Sequence, residues 1–259
     1  SAGASIQEIN TIRKHMSLAR GGYLAQYAHP ARVFSLIFSD VPGDDLEFIA
    51  SGPTVKDTTT IADADVILEK YRILRTCNIA HCGLIETPKE DTYFARVVNA
   101  LVVSNVIALN AMSTRATELV YAPEIISKTV SGSARIVAAK VIERLHSAPK
   151  GVVQLYGGET TVVVHGTGHG GRNQELSLAT LSDIHEDELV CSLASDGRDN
   201  GLHAGGIADK RTLAHADTAG INVSEFLDTN NSAVFFSRSG DAILTGDTGS
   251  NVSDLIIAM

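Results

Sequence analysis

The stretch Gly157–Leu176, GGETTVVVHGTGHGGRNQEL, has the residue types and the order of an anion-binding site. A run of β-branched residues, Thr161–Val164, predicts a strand, glycines dominate the segment after it, and Arg172 begins an amphipathic run that predicts a helix. Glycines let backbone N–H groups approach a ligand, and a helix start offers unpaired donors with a partial positive charge. The arginine adds a planar fork of donors. This stretch is therefore predicted to bind a phosphate or a carboxylate.

A simpler interpretation is that the glycines only make a tight turn between a strand and a helix. The spacing of Gly166–Asn173 is that of a P-loop, but Arg172 and Asn173 stand where Lys and Ser/Thr belong, which excludes a Walker A site. The GxGxxG spacing that begins at Gly166 is weak by itself. His165 and His169 have glycines between them, so we expect solvated loop residues rather than metal ligands.

Two aspartate-rich loops follow predicted strands, and such loops bind ligands in open α/β sheets. Asp40, Asp44 and Asp45 come after a predicted strand over residues 32–39, where they could hold Mg²⁺ or a substrate hydroxyl. Asp196 and Asp199 come after a predicted strand over 189–194. For both loops, turn-forming and capping roles are equally good explanations.

The composition is that of a chain able to bury a core, and it argues against broad nucleic-acid binding. Of 259 residues 44% are hydrophobic and 5% aromatic, which is typical of α/β sheets built from Val, Ile, Leu and Ala. The 30 acidic and 21 basic residues give a net charge of −9, which disfavours a surface that neutralises many phosphates. No apolar run approaches the ~20 residues of a membrane span. We expect small-molecule substrates, with no nucleic acid and no membrane as partner.

The cysteines favour a reducing, cytoplasmic setting. Cys77, Cys82 and Cys191 form no CxxC pair and cannot all be bridged. A zinc site of Cys77, His81 and Cys82 is disfavoured, because no second ligand pair accompanies it.

The periodicity predicts helices that alternate with strands in the second half of the chain. Successive βαβ units there predict parallel strands covered by helices, and a domain boundary is expected at residues 96/97. The triplet Arg13-Lys14-His15 is expected to form a charged solvent face, with anion binding as the alternative. Helices are predicted over 6–18, 23–28, 61–71, 106–120, 133–146, 172–182, 210–219 and 223–227, and strands over 32–39, 101–104, 124–129, 151–156, 161–164, 189–194, 242–245 and 252–257.

Three strings of the sequence, read together, resemble one family. They are SDVPGDDLEFIASGPTV at Ser39–Val55, GGETTVVVHGTGHGGRNQEL at Gly157–Leu176 and TGDTGSNVSDL at Thr245–Leu255. In this order they resemble the ATP-dependent glycerate 2-kinases that carry a MOFRL domain, some of which are named hydroxypyruvate reductases. The EIN and RKH strings near the start match as well, so the resemblance covers essentially the whole chain.

The resemblance implies a two-domain α/β protein with mainly parallel sheets flanked by helices and an active site in the interdomain cleft. Residues 1–96 would be the last part of a Rossmann-like domain, and 97–259 the domain containing MOFRL. The expected reaction transfers the γ-phosphoryl group of ATP, with Mg²⁺, to the 2-hydroxyl of D-glycerate.

Residue roles carry over from matching positions. Arg172 would be the catalytic arginine, and Asp196 would be a second catalytic residue that faces Asp40, Asp44 and Asp45 from the second domain. Asp45 would be a candidate ligand of Mg²⁺. The candidates for substrate or nucleotide contact are Asp40, Asp44, Asp45, Ser51, Thr54, Glu159, Gly170, Gly171, Asn173 and Asn251.

One departure from the family affects activity. Members have a further segment before the EIN/RKH helix, with an active-site lysine in a Gly-Lys-Ala context and a loop that ends in Ser-Ala-Leu, and neither string occurs here. We therefore expect that a preceding segment, or a second chain, supplies the missing half. The alternatives are an NAD(P)H-dependent hydroxypyruvate reductase and a non-catalytic nucleotide- or glycerate-binding remnant.

Overall fold

The computed structural model describes residues 3–76, 78 and 83–259, which divide into two compact units. The first unit consists of Ser1–Ile37 and Asp44–Val102, and the second of Phe38–Gly43 and Val103–Met259. The predicted boundary at 96/97 lies a few residues before this division, and the sequence did not indicate that residues 38–43 belong with the second unit. The cysteine zinc hypothesis falls on Cys77, His81 and Cys82, which lie outside the described residues.

The first unit is helical around a small sheet. Helices α1 and α3 both begin with a capping box, in which the side chains of Ser5 and Glu8, or of Thr60 and Asp63, satisfy backbone N–H groups at the helix start. Strands β1 and β2 pair with each other, and their last residues belong to the second unit. The elements are α1 (Ile6–His15), α2 (Tyr23–Ala28), β1 (Val33–Phe38), a 3-10 turn (Ile49–Ser51), α3 (Ile61–Lys70), α4 (Ile73–Thr76), a second 3-10 turn (Asp91–Tyr93) and β2 (Val97–Val103).

A buried carboxylate, Asp57, organises the interior of the first unit. It accepts hydrogen bonds from the Lys14 ammonium (3.0 Å), the Thr59 hydroxyl and backbone N–H, and the Thr87 hydroxyl (3.0 Å). His15 is fully buried beside it, with one ring nitrogen 3.2 Å from the Thr59 hydroxyl. The expectation of a charged solvent face was therefore wrong for Lys14 and His15. These side chains are buried because Asp57 and its neighbours satisfy their polar atoms.

The second unit contains the larger sheet and most of the helices. Its elements are α5 (Asn105–Glu118), β3 (Ala122–Ser133), α6 (Ala134–His146), β4 (Val152–Thr161), α7 (Arg172–Thr180), β5 (Leu189–Ala194), β6 (Gly205–Asp209), α8 (Lys210–Ala219), α9 (Val223–Asp228), α10 (Ser232–Ser239), β7 (Ala242–Ile243) and β8 (Asp254–Ala258).

The six-stranded sheet has the order β3-β4-β8-β5-β6-β7. Strands β3 and β4 are parallel, whereas β8 is antiparallel to both β4 and β5. Strands β3, β4 and β5 therefore run in one direction, as the βαβ pattern predicts, but β8 separates β4 from β5. Strand β2 does not join this sheet. It pairs with β1, and nearly all of both strands belongs to the first unit.

The core of the second unit lies between the sheet and its helices. Leu176 of α7 and Phe235 and Phe236 of α10 are completely buried there. Val141 of α6 and Ile256 of β8 belong to the same cluster. Since a completely buried side chain of this size contributes about 1.5–3 kcal/mol, this cluster fixes α7 against the sheet.

The α/β class is confirmed, and the differences are local. Strand β4 continues through Gly157 and Gly158 and ends at Thr161, so the predicted strand over 161–164 was wrong beyond its first residue. Sequence reasoning missed β6 and α10, whose Gly205-Gly206 start and Ser-rich ends read as loop. No helix in the described part of the chain is long and apolar enough to cross a membrane.

Replacing Asp57 by Asn should destabilise the protein in a pH-dependent way. Burial alone would raise the pKa of Asp57, but the hydrogen bonds from Thr59 and Lys14 outweigh it and hold this pKa below its ordinary value of 3.8. A depressed folded-state pKa contributes stability that is complete above the unfolded-state pKa and is lost as the pH falls through the folded-state pKa. We expect a loss of about 3 kcal/mol at pH 7, measured by urea unfolding, and a smaller difference from wild type below about pH 4.

The exposed Asp65 on α3 supplies the control, because Asp65→Asn makes the same chemical change outside the Asp57 network. Its effect should stay within about 0.5 kcal/mol. A loss for Asp57→Asn that is the same at both pH values would contradict a stabilising ionised Asp57.

Candidate active site

Three polar loops leave the six-stranded sheet at one edge. Asp254, the first residue of β8, is paired with Gly158 near the end of β4 and with Ala194 at the end of β5. Because β8 is antiparallel to both neighbours, its start lies beside their carboxyl ends. The loops over residues 162–171, 195–204 and 244–253 therefore begin or end side by side.

Arg172, the first residue of α7, is held by an ion pair at this edge. Its Nε and Nη2 donate to the two carboxylate oxygens of Asp254, at 2.6 and 3.0 Å, and its Nη1 donates to Glu159 at 2.6 Å. Burial alone would lower the pKa of Arg172, but the hydrogen bonds and charge of Asp254 outweigh it and raise this pKa. The guanidinium is thus permanently charged and fixed in orientation, with a third of its side chain exposed.

Asp199 occupies the start of α7, where the sequence predicted free donors for a ligand. Its carboxylate accepts the backbone N–H groups of Asn173 (3.2 Å) and Gln174 (2.8 Å), and both side-chain amides also donate to it. An internal anion therefore takes the place of the predicted phosphate at these two N–H groups. The prediction that the helix start itself binds the ligand was wrong at Asn173 and Gln174.

The glycines of the loop make room for neighbouring protein. A Cβ atom at Gly166 or Gly168 would lie 2.3–2.5 Å from the backbone oxygen of Thr229, and one at Gly171 would lie 2.2 Å from the Asp199 carboxylate carbon. None of these glycines has a positive φ. Close packing against residues 229–232 and Asp199 therefore accounts for them, rather than the tight turn of the simpler interpretation.

A cavity of about 490 Å³ lies beside Arg172 within the second unit. Glu159, Gly170, Gly171 and Arg172 are among the residues that line it, and Arg198 adds a second cation. The carboxylate of Glu175 also faces the cavity but is paired with Arg135 at 2.7 Å. Arg172 and Arg198 are the cations that an anionic ligand in this cavity could contact, and the carboxylates of Glu159, Glu175 and Asp199 line it as well.

Other predicted contact residues in the second unit have structural partners. Asn173 is buried and bonded to Asp254 (2.8 Å), to Asp199 and to the Ser192 hydroxyl (2.6 Å). The carboxylate of Asp196 accepts the backbone N–H of Arg198 at 2.9 Å, and Asn251 accepts that of Ser253. The structure therefore explains Asn173, Asp196 and Asn251 as packing and turn residues, and their functional roles stay predictions.

The aspartates after β1 differ from one another. Asp44 has a buried Oδ1 with no hydrogen-bond partner among the described residues, and its φ is +55°. The carboxylate of Asp45 accepts the backbone N–H of Glu47 at 2.9 Å, so Asp45 has the turn-forming role that the sequence allowed. Asp40 is held through its backbone oxygen, which accepts the Ser253 hydroxyl at 2.5 Å. Of these three carboxylates, that of Asp44 fits a cation ligand best.

Ser51 and Thr54 are structural links within the first unit. The buried Ser51 hydroxyl donates to Asn10 at 2.8 Å, and the Thr54 hydroxyl donates to Asn99 of β2 at 2.6 Å. Both hydroxyls are thus engaged, and contact with a substrate stays a prediction for them.

Asp254 is the residue that sequence reasoning missed. It lies in the family-like string TGSNVSDL, yet it was not selected. The available signal was a lone carboxylate in front of the apolar run Leu255–Ala258, since a charge at the start of a buried strand needs a partner.

Comparisons with known proteins agree with this architecture. Residues 1–81 match a family model described as "Domain of unknown function (DUF4147)", and residues 152–254 match the "MOFRL family". A D-glycerate 2-kinase of Thermotoga maritima is 38% identical over 268 residues, which cover 100% of this chain and 64% of the relative. A glycerate kinase of Macaca fascicularis is 34% identical over 97% of this chain and 78% of its own length.

A solved structure has the same fold. The crystal structure of glycerate kinase from Thermotoga maritima superposes with a TM-score of 0.91 at 37% identity, covering 100% of this chain and 64% of that one. The chain thus spans just under two thirds of the length of the Thermotoga protein.

Replacing Asp199 by Ala should destabilise the second unit, because the backbone N–H groups of Asn173 and Gln174 would lose their acceptor and the two buried side-chain amides would each lose one of theirs. We expect a loss of about 2–4 kcal/mol in urea unfolding at neutral pH. Asp196→Ala is the matched control on the same loop, and it should cost less than about 1 kcal/mol, since Asp196 accepts one turn N–H. Equal losses for the two variants would contradict the capping role.

Proposed function

This chain belongs to the glycerate 2-kinase family that carries the MOFRL domain, and we propose that it serves ATP-dependent phosphoryl transfer to the 2-hydroxyl of D-glycerate. The products would be 2-phosphoglycerate and ADP. The observation that carries the proposal is the fixed, charged guanidinium of Arg172 at a cavity large enough for phosphate groups. The placement of the active site in an interdomain cleft stays a prediction.

Arg172 suits a role in stabilising charge during phosphoryl transfer. This reaction depends chiefly on positioning and on neutralising charge that spreads over the transferred oxygens. Asp254 binds one edge of the guanidinium and orients it, while one hydrogen on each of Nη1 and Nη2 has no partner within the described ranges. These N–H groups can donate to phosphate oxygens.

Glu159 would act as a displaceable partner of Arg172. Its side chain is 48% exposed and contacts Nη1, whereas Asp254 is 4% exposed. An arriving phosphate could therefore replace Glu159 on the guanidinium without breaking the buried pair with Asp254. Until a ligand binds, the carboxylate of Glu159 occupies the Nη1 donor of Arg172.

A Mg²⁺ ion, which phosphoryl transfer from ATP requires, fits the carboxylate of Asp44. The unpaired buried oxygen of Asp44 is the supporting observation. Mg²⁺ is commonly held by one or two carboxylates together with substrate phosphates and water. When bound, the ion would neutralise phosphate charge. We propose Asp44 rather than Asp45 as its ligand, because Asp45 has a turn N–H to satisfy.

Further polypeptide is proposed to complete the first unit. The apolar side chains of Phe34 and Leu36 on β1 are 64% and 68% exposed, and Val98 on β2 is 49% exposed. A two-stranded sheet with an uncovered apolar face is marginally stable alone. A preceding part of the same protein would cover this face and could carry the family lysine. A separate second chain has no support from the comparisons.

The cytoplasmic location stays a prediction.

The reductase alternative has less support. Dinucleotide binding would use free N–H groups at a helix start after a glycine-rich loop. At α7 those of Asn173 and Gln174 already bind Asp199, and Gly166 and Gly168 pack against Thr229. The non-catalytic alternative is decided by experiment, since a remnant would bind ATP or glycerate without forming ADP.

Arg172→Gln should abolish most of the kinase activity of the full-length protein that contains this chain. We expect kcat to fall by about 10³-fold, because the charge on the transferred group loses its partner, measured as ADP release with D-glycerate and Mg-ATP. Arg115→Gln is the control, because it removes the same charge from an exposed position on α5, and it should change kcat by less than about threefold.

Both variants should have the circular dichroism spectrum of the wild type, so that activity is compared between folded proteins. An unchanged kcat for a folded Arg172→Gln variant would remove Arg172 from the mechanism. NADH oxidation with hydroxypyruvate, in place of ADP release, would support the reductase.

Glu159→Gln should strengthen ATP binding by about threefold, because an exposed ion pair that competes for Arg172 is lost. The dissociation constant, measured by calorimetry in low salt, checks this. Glu143→Gln removes the same charge from an exposed position on α6 and should leave it unchanged. Weaker binding in Glu159→Gln would show that Glu159 contacts the ligand favourably and is not displaced.

A further inference from the structure

A cluster of two histidines and a glutamate lies at the opposite end of β5 from Arg172. His146 is the last residue of α6, and His185 and Glu188 lie in the connection between α7 and β5. Glu188 immediately precedes β5, whose other end pairs with Asp254. The cluster is therefore separate from the proposed phosphoryl-transfer site, and nothing in that function uses it.

We propose that His146, His185 and Glu188 form a binding site for a divalent transition-metal ion of the zinc type. Each side chain offers one ligand atom, and these atoms all lie within 4.8 Å of one another. No other group of three such side chains with this spacing occurs in the part of the chain that the structure describes. Two imidazole nitrogens and one carboxylate oxygen are ligands that zinc accepts, with the fourth position left to water.

The spacing of the ligand atoms agrees with a tetrahedral ion. His146 Nε2 lies 3.2 Å from one oxygen of Glu188, and His185 Nδ1 lies 3.4 Å from the other. Ligands at about 2.0–2.2 Å from a tetrahedral ion lie about 3.3 Å from each other. The two distances to Glu188 thus match an ion held between these side chains, and binding would replace the contact of His146 Nε2 with the backbone oxygen of Asp183 at 3.1 Å.

Glu188 is oriented before any ion binds. Its side chain is only 13% exposed, and its Oε2 accepts the backbone N–H of His185 at 2.8 Å. A hydrogen bond of this kind fixes a ligating carboxylate and is a common second contact at metal sites.

The two imidazole rings stack, with centroids 3.8 Å apart and planes 6° apart. The neutral imidazole is the form that binds metals. The His185 side chain is 65% exposed, so its ring can turn toward an ion without disturbing the core.

An open cavity and several charged side chains surround the histidine–glutamate cluster. The cluster borders a cavity of about 800 Å³ that is also lined by Glu186 and Asp187, which attract cations, and by Lys150 and Lys210. Lys150 is paired with Asp187 at 3.2 Å. Water or a small anion in this cavity can complete the coordination. A bound ion would connect the end of α6 to the residues before β5 and so stabilise the folded second unit.

The test is a zinc titration of the metal-free protein, followed by calorimetry and thermal unfolding. Cys77 and Cys82 offer thiolates that bind zinc themselves, so a Cys77→Ser/Cys82→Ser background is used throughout. We expect one zinc ion per chain and a rise in Tm of about 5 °C at a zinc concentration 100-fold above Kd. His146→Gln, His185→Gln and Glu188→Gln should each weaken zinc binding at least about tenfold.

His215→Gln is the matched control, because His215 is an exposed histidine with a single carboxylate partner, Asp241 at 3.1 Å. It should keep the zinc affinity of the parent. No zinc binding by the parent, or full affinity in any of the three cluster variants, would overturn the proposal. Neither readout depends on kinase activity, so the result is independent of the proposed function.

Discussion

The bidentate ion pair between Arg172 and Asp254 is the interaction on which the proposed site depends. Asp254 is the first residue of β8, which lies between β4 and β5, so this one carboxylate is fixed by both neighbouring strands. Its partner is the first residue of α7, and Asn173 donates to the same carboxylate. Helix and sheet are therefore joined at the point where the polar loops leave the sheet. Burial makes this pair costly to break, because either charge alone would be left without a partner.

The same arrangement decides where a ligand can bind. The carboxylate of Asp199 accepts hydrogen bonds from two backbone N–H groups at the start of α7. The space beside the glycines that precede this helix is occupied by the backbone around Thr229. The N–H groups of Asn173 and Gln174 at the helix start are thus bound to another part of the protein instead of a ligand. What remains for an anion is the exposed side of Arg172, opposed by the partly exposed Glu159. Specificity and affinity would then depend on competition between two anions for one guanidinium.

Both units bury an aspartate among hydrogen-bond donors, but the two aspartates have different consequences. Asp57 receives hydrogen bonds from Thr59, Thr87 and Lys14, all within its own unit, and its pKa is lowered. Burial raises the pKa of Asp254, and the bonds from Arg172 and Asn173 oppose it. The first arrangement serves stability, because every partner is internal. The second leaves a cation partly exposed at a cavity, which is what a binding site needs.

The sequence alone predicted the α/β class, most helices and strands and the family, and it singled out Arg172, whose role stays a prediction. These follow from periodicity, capping residues and motif strings, which are local properties of the chain. Only the tertiary structure decided that β8 lies between β4 and β5, that Asp199 caps α7 and that Asp254 holds Arg172. Each of these contacts joins residues at least 25 positions apart, as with Gln174 and Asp199. Local pattern carries no information on such pairings, because burial and strand order create them when the chain folds.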